Sequence, residues 1–321
     1  MDQVERVKTV SWLVPRGTTS IRLDAFIRSC LPHLSRRKLD RAIGVKLFFV
    51  NGAAAKKGHR LAAGDRVVFS GAAHWLAERP PAAGHLDLPI VFEDASILAL
   101  DKPAGMATHG FSACDRATIA NLLAARWPKL LNVGRSRWEP GLVHRLDVET
   151  SGLVLVAKTQ AAFHHLRAQF RRRELGKTYW ALVWGDAGAD GVIDFSLVHD
   201  HRDKRKMSIV KEARSNKPQR AWRALTYYRK LGAVPGMSLL EIEMVTGVTH
   251  QIRVHLAAIG HPIVGDGLYG HEFGQAFDMA RHFLHAKKLE FFHPEDGRRI
   301  KLVCELPGEL RDVLARIGIG N

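Results

Sequence analysis

The sequence predicts an α+β protein in which a small N-terminal unit precedes a larger, mixed and largely antiparallel domain. Short apolar runs typical of strands are interleaved with helical patterns, without a regular strand–helix–strand repeat. The segment AERPPAAGHLDLP at residues 77–89 has the Ala, Pro and Gly content of a linker. Because a regular strand–helix–strand repeat is absent, a doubly wound nucleotide-binding fold is not expected.

Two helices and a small sheet are predicted before this linker. Leu23, Phe26 and Ile27 have helical spacing, and Ser35 is placed to cap a second helix. The turn pairs Asn-Gly and Gly-Asp punctuate the apolar runs of this unit. The predicted strands cover residues 47–50 and 66–69.

The second region begins after the linker and combines several strands with at least one amphipathic helix. Phe163, Leu166 and Phe170 have the spacing of a buried helix face. The opposite face carries Arg167, Arg171, Arg172 and Arg173. The run at 152–157 is continuously apolar, which is typical of a central buried strand. The other predicted strands cover 91–92, 97–100, 179–184 and 238–245.

Composition excludes several classes of protein. The chain has 321 residues, of which 46% are hydrophobic and 25% charged, as in ordinary globular proteins. It has no apolar run long enough to span a membrane, and MDQVERVKTV lacks the apolar core of a signal peptide. We therefore expect a cytoplasmic protein. Cys30, Cys114 and Cys304 are too widely spaced to predict a disulfide framework or a metal knuckle.

The charge points to a polyanionic partner. The formal net charge is +16, and residues 1–80 contain 15 Lys or Arg against 6 Asp or Glu. A quarter of the chain therefore carries more than half of the excess. A basic surface of this size favours nucleic acid, although basic residues can also serve solubility alone.

Two segments of the second region concentrate residues that could carry chemistry. GLVHRLDVETSG, residues 141–152, places Asp147 between basic residues and the buried strand; a structural ion pair with an arginine is the alternative. THQIRVHL, residues 249–256, contains His250 and His255. Their spacing does not suit one helix face, and no third ligand completes a zinc set, so no metal is expected. A Walker loop is also absent.

These segments resemble the motifs of the RluA-type pseudouridine synthases. HRLDVETSGLVLVAKT (144–159), KTYWALVWG (177–185) and GVTHQIRVHLAAIGHPIVGDGLYG (247–270) occur in the family's order. DLPIVFEDASILALDKPAGMATHG (87–110) is similar to the opening of the family's catalytic domain. Residues in the N-terminal unit resemble the S-four-like RNA-binding domain. The resemblance implies an S-four-like domain over 1–76, a linker over 77–86 and a catalytic domain over 87–321.

The resemblance also implies roles for individual residues. Asp147 corresponds to the catalytic aspartate, Tyr179 to the active-site tyrosine and Arg253 to an arginine paired with the aspartate. On the same basis we expect RNA contacts in two groups. The first group is His144, Arg145, Thr150, Ser151, Gly152, His250 and Gln251, and the second is Ser35, Arg36, Arg37, Lys38 and Arg41.

The implied reaction breaks the bond between uracil and the sugar, turns the base and rejoins it through carbon 5. This isomerisation is redox-neutral, so no cofactor is expected. Asp147 would attack the anomeric carbon, or stabilise and deprotonate the sugar as the base leaves. Arg253 would orient the carboxylate, and Tyr179 would provide an aromatic wall and a hydroxyl, although a core role is the usual explanation of a strand tyrosine.

One departure from the family pattern is Val248, where an arginine usually precedes THQIR. Its loss could weaken the grip on RNA, whereas the segment 201–223, with nine Lys or Arg against two Asp or Glu, favours RNA contact. We expect a monomer that modifies large-subunit ribosomal RNA. The alternatives are a transfer RNA pseudouridine synthase, an RNA-binding assembly factor that has lost catalysis, and a base-excising glycosylase.

Overall fold

The computed structural model describes residues 7–77, 79–110, 115–210, 220–273 and 277–320, with the side chains of Arg37, His74 and Phe273 left out. Cys114, the side chain of Arg37 and residues 211–219 of the basic segment therefore lie outside the described part. No helix within that part is long and apolar enough to cross a membrane.

Six α-helices and seventeen strands are present in the described residues. The helices are α1 Leu23–Cys30, α2 Arg36–Gly44, α3 Ile119–Arg126, α4 Gln160–Arg172, α5 Gln251–Ala258 and α6 Gly308–Ile317. The strands are β1 Val7–Leu13, β2 Ile21–Arg22, β3 Phe48–Val50, β4 Ala53–Ala54, β5 Arg60–Leu61, β6 Arg66–Ala72, β7 Ile90–Glu93, β8 Ile97–Lys102, β9 Ser151–Ala157, β10 Gly176–Trp184, β11 Asp190–Ile193, β12 Leu197–His199, β13 Met207–Ile209, β14 Thr226–Val234, β15 Met237–Met244, β16 Leu284–Phe292 and β17 Arg299–Val303.

The N-terminal unit has its own hydrophobic core. Strands β1, β6, β3 and β4 form an antiparallel sheet in that order, and α1 and α2 contact each other beside it. Phe48 and Phe69 pack edge to face with ring centres 5.3 Å apart. The Ser35 hydroxyl accepts a hydrogen bond from Lys38 N at 3.2 Å, so the predicted helix cap is confirmed.

The Pro-rich segment after this unit packs against the second region. Asn121 of α3 donates a hydrogen bond from Nδ2 to Pro81 O at 2.7 Å. Asn121 O accepts one from Ala83 N at 3.2 Å, and both Ala83 and Leu88 are buried. The chain between the two cores therefore has fixed contacts from about residue 80 onward.

The second region is built on one large sheet with the order β11-β14-β15-β10-β16-β9-β8-β7, with β17 added beside β16. All its pairings are antiparallel except that of β9 with β16. This confirms the predicted mixed, largely antiparallel α+β fold. All seven residues of β9 are buried, as the continuous apolar run predicts, and α4 packs on this strand through Phe163 and Leu166.

The close approach of β9 to β16 depends on Gly152. This residue pairs with Ala286 and has a φ of +111°, and a Cβ there would lie 2.4 Å from Ala286 O. Only glycine fits both the backbone conformation and the space. The turn that carries Asp147 leads directly into this point of the sheet, so the core fixes its position.

Candidate active site

A cavity of about 450 Å³ gathers Asp147, Tyr179 and Arg253, which are spread over more than 100 residues of the chain. The turn before β9, strand β10 and helix α5 each contribute one of the three. The loop from Val245 to His250 and residues of α4 complete the lining. The cavity is therefore formed where three sequence motifs converge on one side of the large sheet.

Asp147 lies in a turn that a buried lysine stabilises through hydrogen bonds to backbone carbonyls. The Lys102 ammonium donates to Pro103 O, Met106 O and Val148 O at 2.8–2.9 Å. Burial lowers the pKa of Lys102 to about 8. Thr150 N donates to Asp147 O at 3.1 Å and closes the turn. The Asp147 side chain remains 23% exposed and faces the cavity.

Arg253 forms its two-pronged contact with Asp266. Its Nε and Nη2 donate to the two carboxylate oxygens at 2.6 and 2.8 Å, whereas Nη1 lies 3.6 Å from Asp147 Oδ2. We expected Arg253 to pair directly with Asp147. The structure shows only a longer ion pair between them, because Asp266 occupies the forked face of the guanidinium.

Asp266 is a functional-site residue that the sequence interpretation missed. It is 3% exposed and also accepts from Leu268 N and Tyr269 N at 2.9 and 3.1 Å. Burial disfavours its charge, but the contact with Arg253 outweighs burial and lowers the pKa of Asp266. Burial likewise opposes the charge of Arg253, whose pKa is nevertheless raised. The Asp-Gly pair within GDGLYG was the available signal of an ordered turn.

His250 lies between Asp147 and the hydroxyl of Tyr269. His250 Nε2 lies 3.8 Å from Asp147 Oδ2, and His250 Nδ1 lies 2.9 Å from the Tyr269 hydroxyl. His250 has a φ of +56° immediately before α5, a left-handed conformation that is uncommon for a non-glycine residue. Burial lowers the pKa of His250 although the charge of Asp147 opposes this shift.

Tyr179 lies on β10, where a register shift between Thr178 and Tyr179 interrupts the pairing with β16. Tyr179 is 4% exposed and lines the cavity. Burial, reinforced by the negative charge of Asp147, raises the pKa of its phenol, so the hydroxyl stays protonated. Tyr179 therefore places a buried aromatic ring at the cavity that Asp147 also lines.

The residues around Asp147 divide into cavity and core positions. Arg145 is exposed at the cavity, and His144 and Thr150 also line it. Ser151 is 2% exposed and its hydroxyl pairs with His285 Nδ1 at 2.9 Å, while Gly152 is buried against β16. The expectation that Ser151 and Gly152 contact RNA is corrected, because both are enclosed by the core and hold the sheet together.

His144 and Gln251 line the cavity, but their polar side-chain atoms form hydrogen bonds with the surrounding protein. His144 Nε2 accepts from Leu155 N at 2.9 Å, and burial, with the charges of Lys177 and Arg167, lowers the pKa of His144 to about 3. Gln251 is 1% exposed, accepts from Thr246 Oγ1 and Val248 N, and donates to Leu225 O. Both residues therefore position backbone around the cavity.

Val248 lies in the cavity-lining loop and belongs to a small apolar cluster. It packs with the buried residues Leu197, Met207, Ile209 and Val254. The hydrocarbon side chain at this position is therefore used to anchor the loop on the β12–β13 hairpin. This packing role does not require a charged side chain.

A second cavity of about 420 Å³ continues from the first. The two share Phe170, Arg171 and residues 245–248. Four arginines line the second cavity together with Trp222, and Arg220 lies over the Trp222 ring at 5.5 Å. A cationic groove with an aromatic side chain suits a nucleic-acid backbone and its bases. The four arginines are Arg171, Arg173, Arg220 and Arg223.

The predicted N-terminal RNA contacts differ in their surroundings. Arg36 and Arg41 are exposed, and the Ser35 hydroxyl is used as the cap of α2. Lys38 is 8% exposed: its ammonium donates to Ala77 O at 3.3 Å and lies 4.8 Å from the centre of the Trp138 ring. The expectation that Lys38 contacts RNA is corrected, because this side chain bridges the N-terminal unit and the second region.

Among the described residues, no three His, Cys, Asp or Glu side chains are grouped so that they could bind a metal ion. Arg253 forms ion pairs with both Asp147 and Asp266, and His250 lies 3.8 Å from Asp147.

Comparison with known proteins identifies the family of this fold and cavity. Residues 96–258 match the family model described as RNA pseudouridylate synthase. An uncharacterized RNA pseudouridine synthase of Chloroflexus aurantiacus is 37% identical over 95% of this chain and 92% of its own length. The ribosomal large subunit pseudouridine synthase D of Nitrosomonas europaea is 34% identical over 98% and 89%, respectively.

Two solved structures support the same assignment. The human RNA pseudouridylate synthase domain containing 1 is 28% identical, with a TM-score of 0.55 over 69% of this chain and 84% of that chain. The human domain containing 4 is 29% identical, with a TM-score of 0.54 over 71% and 92%. The chain belongs to the RluA-type family of RNA pseudouridine synthases.

Proposed function

We propose that this enzyme isomerises uridine to pseudouridine in large-subunit ribosomal RNA, with Asp147 as the catalytic carboxylate. One observation carries the assignment: Asp147 faces the cavity beside Tyr179 and lies 3.6 Å from an arginine whose own counter-ion is buried. The RNA class is supported by relatives that carry the name ribosomal large subunit pseudouridine synthase D, among them the Nitrosomonas europaea protein.

The reaction requires a base that leaves and returns. Breaking the bond from N1 to C1′ leaves both bonding electrons on uracil and a deficit of electrons on the sugar. Asp147 meets this deficit by attacking C1′ or by accepting a proton from the sugar. Carbon 5 then bonds to C1′, and at the same time Asp147 either leaves C1′ or returns the proton to the sugar. Carbon 5 loses its proton and N1 gains one, so atoms and electrons balance without a cofactor.

The cavity walls keep the detached base in place. Tyr179 offers a buried aromatic face, which suits stacking of an unpaired base. Its raised phenol pKa keeps the hydroxyl available as a hydrogen-bond donor. Arg253 holds Asp147 toward the sugar with one N–H while Asp266 fixes the guanidinium, so the reacting groups are pre-oriented.

RNA contacts surround this centre. Exposed Arg145 and the arginine-lined second cavity extend the positive surface away from Asp147. In the N-terminal unit, residues 1–76, we propose an S-four-like RNA-binding domain whose Arg36 and Arg41 contact phosphates. We further propose that the protein acts as a monomer on cytoplasmic ribosomal RNA.

The assignment is tested with RNA tritiated at carbon 5 of uridine. Purified protein is incubated separately with large-subunit ribosomal RNA, small-subunit ribosomal RNA and bulk transfer RNA, and released tritium is measured. We expect release from the large-subunit RNA with retention of the isomerised base in the chain. Release from transfer RNA alone would overturn the RNA class. Tight binding without release would favour an assembly factor, and free uracil would favour a glycosylase.

A further inference from the structure

Two buried lysines near the cavity differ in how their ammonium groups are satisfied. All three N–H donors of Lys102 have a backbone carbonyl acceptor. Lys177 is 4% exposed, and its ammonium donates to Thr246 O at 2.9 Å. Within the described part of the chain, this carbonyl is its one hydrogen-bond acceptor. Lys102 is therefore a structural group, whereas Lys177 retains donors for a ligand.

Lys177 lines the same cavity as Asp147 and Tyr179. It precedes Tyr179 by two residues on β10, so the two side chains project from the same face of the sheet. The Phe170 ring lies 5.6 Å from the ammonium on one side. On another side is Gly247, where a Cβ would lie 3.6 Å from Nζ. Because Gly247 has no side chain, it leaves that approach to the ammonium open.

The charge of Lys177 has no carboxylate partner within ion-pair distance among the described residues. A titratable group close to Lys177 at the cavity is His144, which is neutral. Burial lowers the pKa of Lys177 to about 8, so the ammonium is the main form at pH 7. A buried cation with spare donors is stabilised by a ligand that brings negative charge.

We propose that Lys177 is a further catalytic residue, whose ammonium donates hydrogen bonds to the carbonyl oxygens of uracil and stabilises the charge on the detached base. The inference rests on the proposed function. When N1 separates from C1′, the electron pair spreads over N1 and the carbonyl oxygens, and a fixed cation there stabilises that state more than the neutral nucleotide. No proton moves to or from Lys177 in this step.

The test compares Lys177→Met and Lys177→Arg with a matched control, Lys288→Met. Lys288 lies on the adjacent strand, where it pairs with Glu290 at 3.1 Å, and it does not line the cavity. Single-turnover rates and RNA affinities are measured with a transcript that the wild-type enzyme modifies. The same transcript is then made with 5-fluorouridine at the target, and the loss of 5-fluorouridine is followed after nuclease digestion. Fluorine replaces the proton at carbon 5, so this reaction stops after C5 bonds to C1′ and before deprotonation. Fluorine withdraws electrons and makes the departing base a more stable anion.

We expect Lys177→Met to lower the single-turnover rate on uridine by about 10²- to 10³-fold, the usual effect of removing a donor to a developing charge. RNA affinity should change less than threefold, Lys177→Arg should recover at least tenfold, and Lys288→Met should match the wild type. The deficit of Lys177→Met should be several-fold smaller on 5-fluorouridine. If Lys177→Met only removed the hydrogen bond to Thr246 O, the rates on uridine and on 5-fluorouridine would fall by the same factor.

Equal deficits on the two substrates, or a normal rate for Lys177→Met, would overturn the role of Lys177. Both results presuppose a wild-type enzyme that converts uridine in the same assay. If the wild type itself converts none, the proposed function fails and not merely the inference about Lys177. Circular dichroism of each variant establishes that the rates are compared between folded proteins.

Discussion

The guanidinium of Arg253 is fixed by Asp266, and only its remaining nitrogen, Nη1, is directed toward Asp147. Two hydrogen bonds of 2.6 and 2.8 Å join Arg253 to Asp266, and the remaining Nη1 approaches Asp147 Oδ2 to 3.6 Å. Asp266 is buried, whereas the Asp147 side chain is 23% exposed at the cavity. The site therefore separates a buried carboxylate, which fixes the arginine, from a partly exposed one, which we propose reacts with the substrate.

This separation predicts that Asp266→Asn damages both stability and activity. Removing one partner of a buried ion pair leaves the Arg253 charge uncompensated, which costs about 3–5 kcal/mol in free energy of unfolding. Urea denaturation measures this loss, and the exposed pair of Arg229 with Glu241 supplies the control: Glu241→Gln should cost less than about 1 kcal/mol. Unchanged stability of Asp266→Asn would contradict the structural role of that pair.

Arg253→Lys should also impair turnover although it preserves the charge. An ammonium cannot make the forked contact with Asp266 and simultaneously direct a third donor to Asp147. We expect the single-turnover rate to fall at least tenfold while RNA affinity stays within threefold. A near-normal rate with weakened RNA binding would instead indicate that Arg253 contacts a phosphate.

Gly152→Ala should be strongly destabilising compared with a matched glycine. Both Gly152 and Gly188 have positive φ angles, of +111° and +76°. A Cβ at Gly152 would lie 2.4 Å from Ala286 O, whereas nothing lies within 4 Å at Gly188. We expect a loss of about 3 kcal/mol for Gly152→Ala and about 1 kcal/mol for Gly188→Ala in urea denaturation. Equal losses would mean that the parallel contact of β9 with β16 is not tight.

His144 predicts a pH dependence of stability. In the unfolded chain a histidine takes up a proton near pH 6.5, whereas the pKa of buried His144 is about 3. Between these values the unfolded state binds more protons, so the free energy of unfolding falls as the pH falls. This group contributes at most about 1.4 kcal/mol per pH unit. His144→Gln keeps an acceptor for Leu155 N and should flatten the slope between pH 6.5 and 4; an identical slope would contradict the assignment.

Deleting residues 1–78 should weaken RNA binding without removing catalysis. The deletion keeps Pro81 and Ala83, which bond to α3, and separates the two hydrophobic cores. Each phosphate that the truncated protein no longer binds should lower the slope of log affinity against log salt concentration by about 0.7–0.9. Binding titrations at several salt concentrations measure this slope. An abolished single-turnover rate in a folded truncate would mean that the N-terminal unit helps to build the active site.

The sequence predicted much of the framework because its signals are local. Helical spacing at Leu23, Phe26 and Ile27, the cap at Ser35 and the apolar run at 152–157 each depend on residues close together in the chain. The three motif residues Asp147, Tyr179 and Arg253 were brought together by resemblance, since no spacing rule places a turn, a strand and a helix around one cavity.

What escaped prediction depends on contacts between distant segments. The pairing of Arg253 with Asp266, the hydrogen bond of Lys177 to Thr246 O and the contact of Lys38 with Trp138 are set by tertiary packing. Ser151 belongs to a motif that the resemblance associated with RNA, yet the start of β9 turns its side chain into the core. A motif therefore marks the neighbourhood of the chemistry, and burial decides which of its members face the substrate.

The central claim is that the charge of Asp147 performs the sugar chemistry. The most direct measurement is tritium release from carbon 5 of uridine by Asp147→Asn, which keeps the size of the side chain and removes its charge. We predict no turnover, with RNA affinity within about tenfold of the wild type, equivalent to about 1.4 kcal/mol. Appreciable tritium release by Asp147→Asn would contradict the account, because the reaction would then proceed without that carboxylate.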